Sequence, residues 1–593
     1  MQSLLTHRGP DDQGTYVDRD VGLANTRLSI IDLKDGHQPL SNEDSQVWVT
    51  FNGEIFNFQE HKARLIHSGH VFKTRSDTEV LVHLYEEKGP SFLSELDGMF
   101  AFALWDANAK ALLLARDYAG MKPLYYTLTR DGTLYFASEV KAVSAVMAVH
   151  RLDLIAVSDF LVLGYVPSER TLLEGVHKLR PGQILRKDRY GISLETYHDF
   201  LRRGGAAQLG DYKTSVRNTL ENATESWLMS DVPVGAYLSG GLDSSLIAAL
   251  AARKIGPAMT TFTAWFGADY PNELTQAKEV ADYLGINHSE VTVDPTSVVQ
   301  ELTRIAWMCD EPIADAAIIP TYFVSKKAAS AHIKVVLAGE GADEIFGGYP
   351  WYRLFRYSPL VRLSTGQREP TSTRHFRHVN ARISSLVWPG YSLADRYLLF
   401  HSVLHPAMIR KLLPHGPPGN ARACFAAYLE RPSGTLLSRL LVCDIMTLLA
   451  EDFLMKADKG SMANSVEERV PYLAKSMIEL GLQIPDDLKV SLSEEKIILR
   501  RAAEGILPQA TLKRRKRGYG TPVAGWIRGE IGDYLFAKIE ASETINKLLG
   551  HHFASKVLSS RALRWREFWL LGSLALWESV HFADGGLEIP TGL

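Results

Sequence analysis

Seven residues constrain this 593-residue chain more than any others: Ser239-Gly240-Gly241-Leu242-Asp243-Ser244-Ser245, set between an apolar run at 234–238 and a helical pattern at 246–252. Adjacent glycines let the backbone turn tightly and approach a ligand. Loop amides and a helix N-terminus then point at an anion, and the serine hydroxyls add donors to it. Asp243 would repel bare phosphates, so its place makes sense if it holds Mg2+ between itself and a pyrophosphate. A Ser/Gly-rich helix cap with no ligand is the plainer alternative. Two glycines, three serines and an acid in a strand-to-helix context favour phosphate binding. The spacing is not that of a GxxxxGKS/T loop.

The surrounding pattern sets the fold expectation. Residues 260–266 and 335–337 read as further strands and 275–284 as a helix, the alternation of a doubly wound parallel sheet. From Gly348 onward the pattern is mostly helical, with loops near 414–419. Upstream the chain is β-rich. Residues 47–51 form an apolar run ending in the turn signal Asn52-Gly53, and 99–105 and 111–115 are strand candidates. Residues 125–128 and 133–136 flank Asp131-Gly132, a hairpin signal. Ser76-Asp77-Thr78-Glu79 has the form of a capping box before Val80, Leu81, Leu84 and Tyr85. A polar, Gly-containing stretch at 198–211 reads as a linker. The length calls for more than one core, and the reading is two domains, 1–197 and 211–593.

Composition excludes more than it assigns. With 46% hydrophobic and 22% charged residues and a net charge of -3, the chain is ordinary for a globular protein, which argues against a general nucleic-acid or membrane-surface role. It has no apolar run long enough to span a bilayer, and its first eight residues lack the pattern of a signal peptide. A cytoplasmic protein is expected. Cys309, Cys424 and Cys443 are far apart and show no CxxC pairing, so buried thiols are expected rather than a zinc or disulfide framework.

Leu337-Ala338-Gly339-Glu340-Gly341-Ala342-Asp343-Glu344 follows a strand. In an open α/β sheet ligands lie beyond the carboxyl ends of strands, so this loop can face the phosphate loop and offer Asp343 as a second Mg2+ ligand. Taken alone it is equally an acidic surface turn. The phosphate loop resembles the PP-loop of ATP pyrophosphatases. The second loop, continued to Tyr349, resembles the SGEGADE-FGGY loop of class B asparagine synthetases. Residues 456–463, 467–471 and 496–500, and residues 513–519 with Pro522 and Trp526, resemble further ordered motifs of that family. The resemblance implies an ATP-pyrophosphatase domain with helical additions. It implies that Leu238, Ser239, Gly240, Gly241, Asp243, Ser244, Ser245, Ala264, Ala338 and Gly339 line the ATP site and that Asp243 and Asp343 hold Mg2+. Glu340 would sit beside an acyl-adenylate and assist ammonia attack. Lys496, otherwise a solvated helix lysine, would neutralise charge on the α-phosphate as pyrophosphate leaves. In the basic run 513–517 at least one residue is expected to face the phosphates, a reading favoured over a nucleic-acid patch.

His7-Arg8-Gly9-Pro10-Asp11-Asp12, Arg27-Leu28-Ser29-Ile30-Ile31-Asp32, Asn52-Gly53-Glu54-Ile55-Phe56-Asn57 and Ser76-Asp77-Thr78-Glu79 resemble, in that order, the glutaminase domain of the same family. This implies an Ntn-hydrolase-like αββα sandwich with a glutamine pocket. Arg27 would bind the glutamine carboxylate and Asp77 its amino group. Asn52 and Gly53 would supply oxyanion-hole donors, with Glu54 in the same pocket. The family's nucleophile is a cysteine exposed at the N-terminus. Here the chain opens Met1-Gln2, no cysteine precedes Cys309, and the strand and helix that normally precede the His7 segment are absent. The sandwich is therefore expected to be incomplete. Either the true start lies upstream or the chain is a natural ammonia-dependent form, and the retained pocket residues favour the first. The chain as it stands is expected not to hydrolyse glutamine.

The resemblance spans residues 7–526 and implies amidation of a carboxylate, first of all aspartate, through an acyl-adenylate. AMP and pyrophosphate would be released, with nitrogen from glutamine in a complete protein or from ammonia here. Ala338, Ala474 and Trp265 depart from the family's usual residues and leave open amide or lactam formation on another carboxylate in natural-product biosynthesis. β-Lactam synthetases place Tyr where this chain has Glu340, which argues for external ammonia. An inactive binding or assembly module is opposed by the presence together of Asp243, Asp343, Glu340 and Lys496. A homodimer is possible.

Overall fold

The computed structural model describes residues 1–201, 210–270, 273–364, 390–413, 416–515, 520–550, 565–583 and 586–589. Parts of the expected linker at 198–211 and of the loop at 414–419, and residues 516–519 of the basic segment, lie outside them.

The amino-terminal half supplies β1 (Asp12–Val17), β2 (Gly22–Arg27), β3 (Leu40–Ser41), β4 (Val47–Ile55), α1 (Phe58–His67), α2 (Glu79–Lys88), β5 (Gly98–Asp106), β6 (Ala111–Arg116), β7 (Tyr125–Leu128), β8 (Leu134–Ala137), α3 (Val140–Ser144), β9 (His150–Arg151), α4 (Leu154–Leu163), β10 (Val176–Lys178), β11 (Gln183–Asp188) and β12 (Gly191–Thr196). Six strands form one antiparallel sheet in the order β12-β11-β6-β5-β4-β3. β5 and β6 are buried along almost their whole length because both sheet faces are covered. On one face Val49, Phe51, Phe100 and Phe102 pack under Leu65, Val80, Leu81 and Leu84 of α1 and α2. On the other, Ala101, Ala103, Leu112 and Leu114 meet Leu23 of β2 and Leu124, the residue before β7, where the two smaller sheets, β1-β2 and β10-β7-β8, pack. The layering is helix, sheet, sheet, helix, with the short α3 behind the smaller sheets.

Two local readings are corrected. Asn52-Gly53 is not a turn. It lies inside β4, paired Asn52 to Ala101 and Gly53 to Phe100. Glycine is needed there because φ is +138° and a Cβ would lie 1.9 Å from the Met99 carbonyl oxygen. The second correction concerns 76–79. α2 begins as expected, but Thr78 at its N-cap makes no side-chain cap bond. Glu79 instead accepts from the Lys73 and Thr74 amides at 2.7 Å each, so it ties down the preceding loop.

After α5 (Tyr212–Trp227) the pattern becomes parallel. β13 (Val234–Tyr237), α6 (Leu242–Ile255), β14 (Thr260–Trp265), α7 (Leu274–Leu284), β15 (Asn287–Thr292), α8 (Pro295–Cys309), α9 (Ile318–Ser330), β16 (Val335–Leu337), α10 (Ala342–Phe346) and β17 (Glu467–Arg469) follow. All pairs in the order β15-β14-β13-β16-β17 are parallel. The chain runs outward from β13 to β15 and then returns to β16 on β13's other side, which makes the β13/β16 boundary the switch point where such sheets bind ligands. Helices fill most of the rest. A π-helical stretch, Ile445–Phe453, leads into the helix Leu454–Met462.

The two halves share one core, with Phe56 stacked on Trp227 at 4.2 Å between ring centroids. β18 (Leu587–Glu588) pairs with β9. Buried charges crossing the junction are matched: Arg8 grips Asp458 at 2.8 and 3.0 Å, Arg116 reaches Glu451 at 3.2 Å, and Lys141 meets Asp310 at 2.9 Å. Removing one member of such a pair leaves an uncompensated charge, at a cost of about 3–5 kcal/mol.

Candidate active sites

Both Gly-rich loops leave the sheet at the switch point. Gly240 has φ +72°, and a Cβ there would sit 2.5 Å from the Gln276 carbonyl carbon. α6 starts at Leu242, so Asp243, Ser244 and Ser245 already belong to its first turn. Ser239 Oγ and Ser244 Oγ lie 2.9 Å apart, and the Ser239 amide donates to Ser244 Oγ at 3.1 Å, which closes the loop on itself. The Ser245 hydroxyl is buried and has no hydrogen-bond partner among the described residues. Leu238, Ala264 and Ala338 have buried side chains. What they offer a nucleotide is backbone and, at the alanines, small size. Gly339 packs on the phosphate loop so closely that a Cβ would lie 2.9 Å from the Ser244 amide nitrogen.

Lys496 joins the loops. Its ammonium lies 2.6 Å from Asp243 and 2.6 Å from Asp343. The side chain is buried, and its backbone is left-handed, with φ 54°, where it caps the helix Ile497–Ala502. The ammonium stands where a cation bridging two carboxylates would. Asp243 Oδ1 is also buried, with no hydrogen-bond partner among the described residues. An oxygen-rich, cation-directed site of this kind suits Mg2+. The neighbouring Glu344 carboxyl is turned to a tyrosine hydroxyl. Burial and the Asp343 charge push its carboxyl up to about 8, and Tyr349 donates to it at 2.7 Å.

Sequence reasoning missed several of the groups assembled here. Gly348 makes room for the lysine: a Cβ would fall 2.0 Å from Lys496 Cε. The basic run, from which at least one residue is expected to face the phosphates, places Arg514 at the phosphate loop, where it donates to the Gly240 carbonyl oxygen and pairs with Glu279 at 3.0 Å. Glu468 faces Glu340. It is only 7% exposed, and burial followed by the Glu340 charge holds its carboxyl well above the usual range. Beside them Lys456 pairs with Asp315 at 2.8 Å. Burial followed by the Asp315 charge also raises Asp452. Each contact joins residues more than a hundred positions apart, except those between Lys456 and its neighbours Asp452 and Glu468, so spacing gave no signal for most of them.

The second site is a cavity of about 230 Å³ in the amino-terminal half, and it gathers all five expected glutamine-pocket residues. Arg27 donates from Nη2 to the carbonyl oxygens of Ile31 and Asp32 at 2.7 and 2.8 Å. Among the described residues the buried Asn52 side-chain amide nitrogen has no hydrogen-bond partner, as a waiting oxyanion donor would be. Asp77 accepts from the Ile55 amide at 2.8 Å, yet burial raises its carboxyl. Burial and then Asp77 hold Glu54 far above its usual range, while Arg469 reaches Glu54 at 3.1 Å. No cysteine is among the residues lining the cavity. The three thiols are buried elsewhere, and burial pushes Cys309 up to about 12, which leaves it inert.

β17 separates the sites. Side chains alternate across a strand. Glu467 and Arg469 turn to the cavity and to Glu54, and Glu468 turns to Glu340. Gly53→Ala tests how closely the cavity wall is built. Forcing a side chain into this left-handed, crowded position should cost on the order of 1–3 kcal/mol, seen as a lower thermal midpoint and lost glutamine binding by calorimetry.

Fold and sites together define an ATP-using carbon–nitrogen ligase joined to an amidotransferase domain. Residues 215–579 match the family described as asparagine synthase, and residues 1–198 match a glutamine amidotransferase domain. The chain is 36% identical over 600 residues to asparagine synthetase (glutamine-hydrolyzing) 1 of Bacillus subtilis strain 168, covering 98% of this chain and 93% of that protein. It is 30% identical over 539 residues to asparagine synthetase (glutamine-hydrolyzing) 3 of the same strain, covering 88% and 83%. It is 38% identical over 357 residues to asparagine synthetase (glutamine-hydrolyzing) 2 of Oryza sativa subsp. japonica, covering 59% and 56%. The chain belongs to the asparagine synthase family. Among the described residues no helix is long and apolar enough to cross a membrane.

Proposed function

We propose that the chain converts aspartate to asparagine at the expense of ATP, taking its nitrogen from ammonia as it stands and from glutamine, for which its amino-terminal pocket is shaped, in a complete protein. The observation that carries this reading is the Lys496 ammonium held between Asp243 and Asp343 at the mouth of the phosphate loop, with Glu340 on the same loop as Asp343. The aspartate side-chain carboxylate attacks the α-phosphate, pyrophosphate leaves, and ammonia displaces AMP. Mg2+ held by Asp243 and Asp343 would neutralise the departing pyrophosphate. Lys496 supplies a point charge to the α-phosphate in a buried setting, where such a charge acts strongly. Glu340 takes a proton from the attacking ammonia, and Glu468, beside it, orients that carboxylate. Asp315, Asp452 and Lys456 suit an amino-acid substrate, which carries both a carboxylate and an ammonium. In the other pocket Arg27 and Asp77 bind the two ends of glutamine's backbone, and Asn52 and Gly53 donate to the oxyanion.

The purified chain is tested with ATP, Mg2+ and aspartate, with ammonium and glutamine supplied separately and products identified by mass. Asparagine, AMP and pyrophosphate in equal amounts with ammonium are expected, and chelation of Mg2+ should stop all three. Glutamine alone should give none, since no thiol lines the cavity. Absence of aspartate-dependent pyrophosphate release with either nitrogen source would refute the substrate assignment.

A further inference from the structure

Away from both pockets, Glu43 in the β3–β4 connection, His70 after α1, and His83 and Glu86 on successive turns of α2 turn their donor atoms towards one point. His83 Nδ1 lies 3.4 Å from Glu43 Oε2 and 3.1 Å from Glu86 Oε2. His70 Nδ1 lies 3.4 Å from Glu43 Oε1 and 3.7 Å from Glu86 Oε2. A tetrahedron with ~2.0–2.1 Å metal bonds has edges of about 3.3 Å; the four imidazole–carboxylate separations lie near that length, and one donor atom from each residue falls within 4.8 Å of all the others, so a modest contraction closes the set on an ion. Two imidazoles and two carboxylates are a ligand set that zinc accepts.

The surroundings are those of a built site. His83 is 0% exposed, and its other nitrogen, Nε2, lies 3.8 Å from the buried Glu79. His70 likewise turns Nε2 to Glu87 at 3.7 Å. Each imidazole thus directs one nitrogen inward and keeps the other near a carboxylate, at a separation longer than a hydrogen bond. Asn42 holds the outer oxygen of Glu86 at 2.7 Å, and the Val71 amide donates to Glu43 at 2.9 Å. Among the described residues no Lys or Arg forms an ion pair with Glu43, Glu79, Glu86 or Glu87, so the ion-pair partners of these four carboxylates are imidazoles.

We propose that Glu43, His70, His83 and Glu86 form a structural zinc site that pins α2 to the β3–β4 connection and to the segment after α1. Because α2 begins two residues after Asp77, the ion would fix the wall of the glutamine cavity from behind. The test strips the full chain with EDTA, reloads it with Zn2+, dialyses it and measures bound metal, with Co2+ as a spectroscopic probe. About one zinc per chain is expected, with the strong visible bands of tetrahedral cobalt and a raised thermal midpoint. His70→Ala and, as a gentler change, Glu86→Gln should each weaken zinc by at least the ~10–100-fold that loss of an outer-shell partner costs while keeping the native circular dichroism. Asp343→Asn should leave zinc binding intact. No zinc on the wild-type chain, equal zinc on both His70→Ala and Glu86→Gln, or zinc lost in Asp343→Asn would each overturn the proposal, the last by moving the metal to the ATP site.

Discussion

Lys496→Met should lower aspartate-dependent pyrophosphate release by about 10²–10³-fold, the loss typical when one preorganised charge-stabilising group is removed. Methionine keeps the length and apolar character of the lysine stem, so the core around it survives. The ammonium that meets Asp243 and Asp343 at 2.6 Å each is gone. The two carboxylates still have Mg2+ to bind, so the loss should fall on kcat more than on the KM for ATP. Arginine should not rescue the activity. Its guanidinium is a planar fork rather than a compact charge, and the backbone at Gly348 comes so near Lys496 Cε that even a Cβ would overlap it. Unchanged turnover in Lys496→Met would reduce the residue to a counter-ion for the empty loops. The left-handed backbone at Lys496 points the other way. Such a conformation costs a residue with a side chain about 1–3 kcal/mol and persists where the surroundings hold it for a task.

Glu340→Gln should separate the two half-reactions. Amide formation from ammonium is expected to fall by about 10²–10⁴-fold, the range for loss of a general base, while aspartate still triggers pyrophosphate release. The diagnostic quantity is the ratio of pyrophosphate to asparagine, which should rise from near unity to a large excess. Glutamine has the shape of glutamate and removes the charge that faces Glu468, so the pocket should keep its form. Equal loss of both products would place Glu340 in aspartate binding or adenylation instead.

The sequence carried what is local. A strand, a Gly-rich loop and a helix are contiguous, so both loops and the parallel alternation could be read directly, and the order of the motifs located the pocket residues of the amino-terminal half. Local signals also misled. Asn52-Gly53 has turn chemistry, but β5 pairs straight across it, and sheet register overrides turn propensity when a long partner strand is available. Glu79 matches a capping pattern, yet two free amides just upstream competed for its carboxylate and won. Glu468, Gly348 and the Arg469–Glu54 pair became visible only after folding, because each owes its neighbours to chain segments remote in sequence.

The three-residue strand β17 has a consequence for how the two chemistries can be regulated. Its outer residues belong to one pocket and its middle residue to the other, so the backbone cannot shift for one occupant without shifting for both. Any tightening that a guest in one chamber imposes on this strand must be returned, in equal free energy, to the guest in the other. If the strand yields to either guest, the partition is also a balance beam, and the binding affinities of the two chambers are linked.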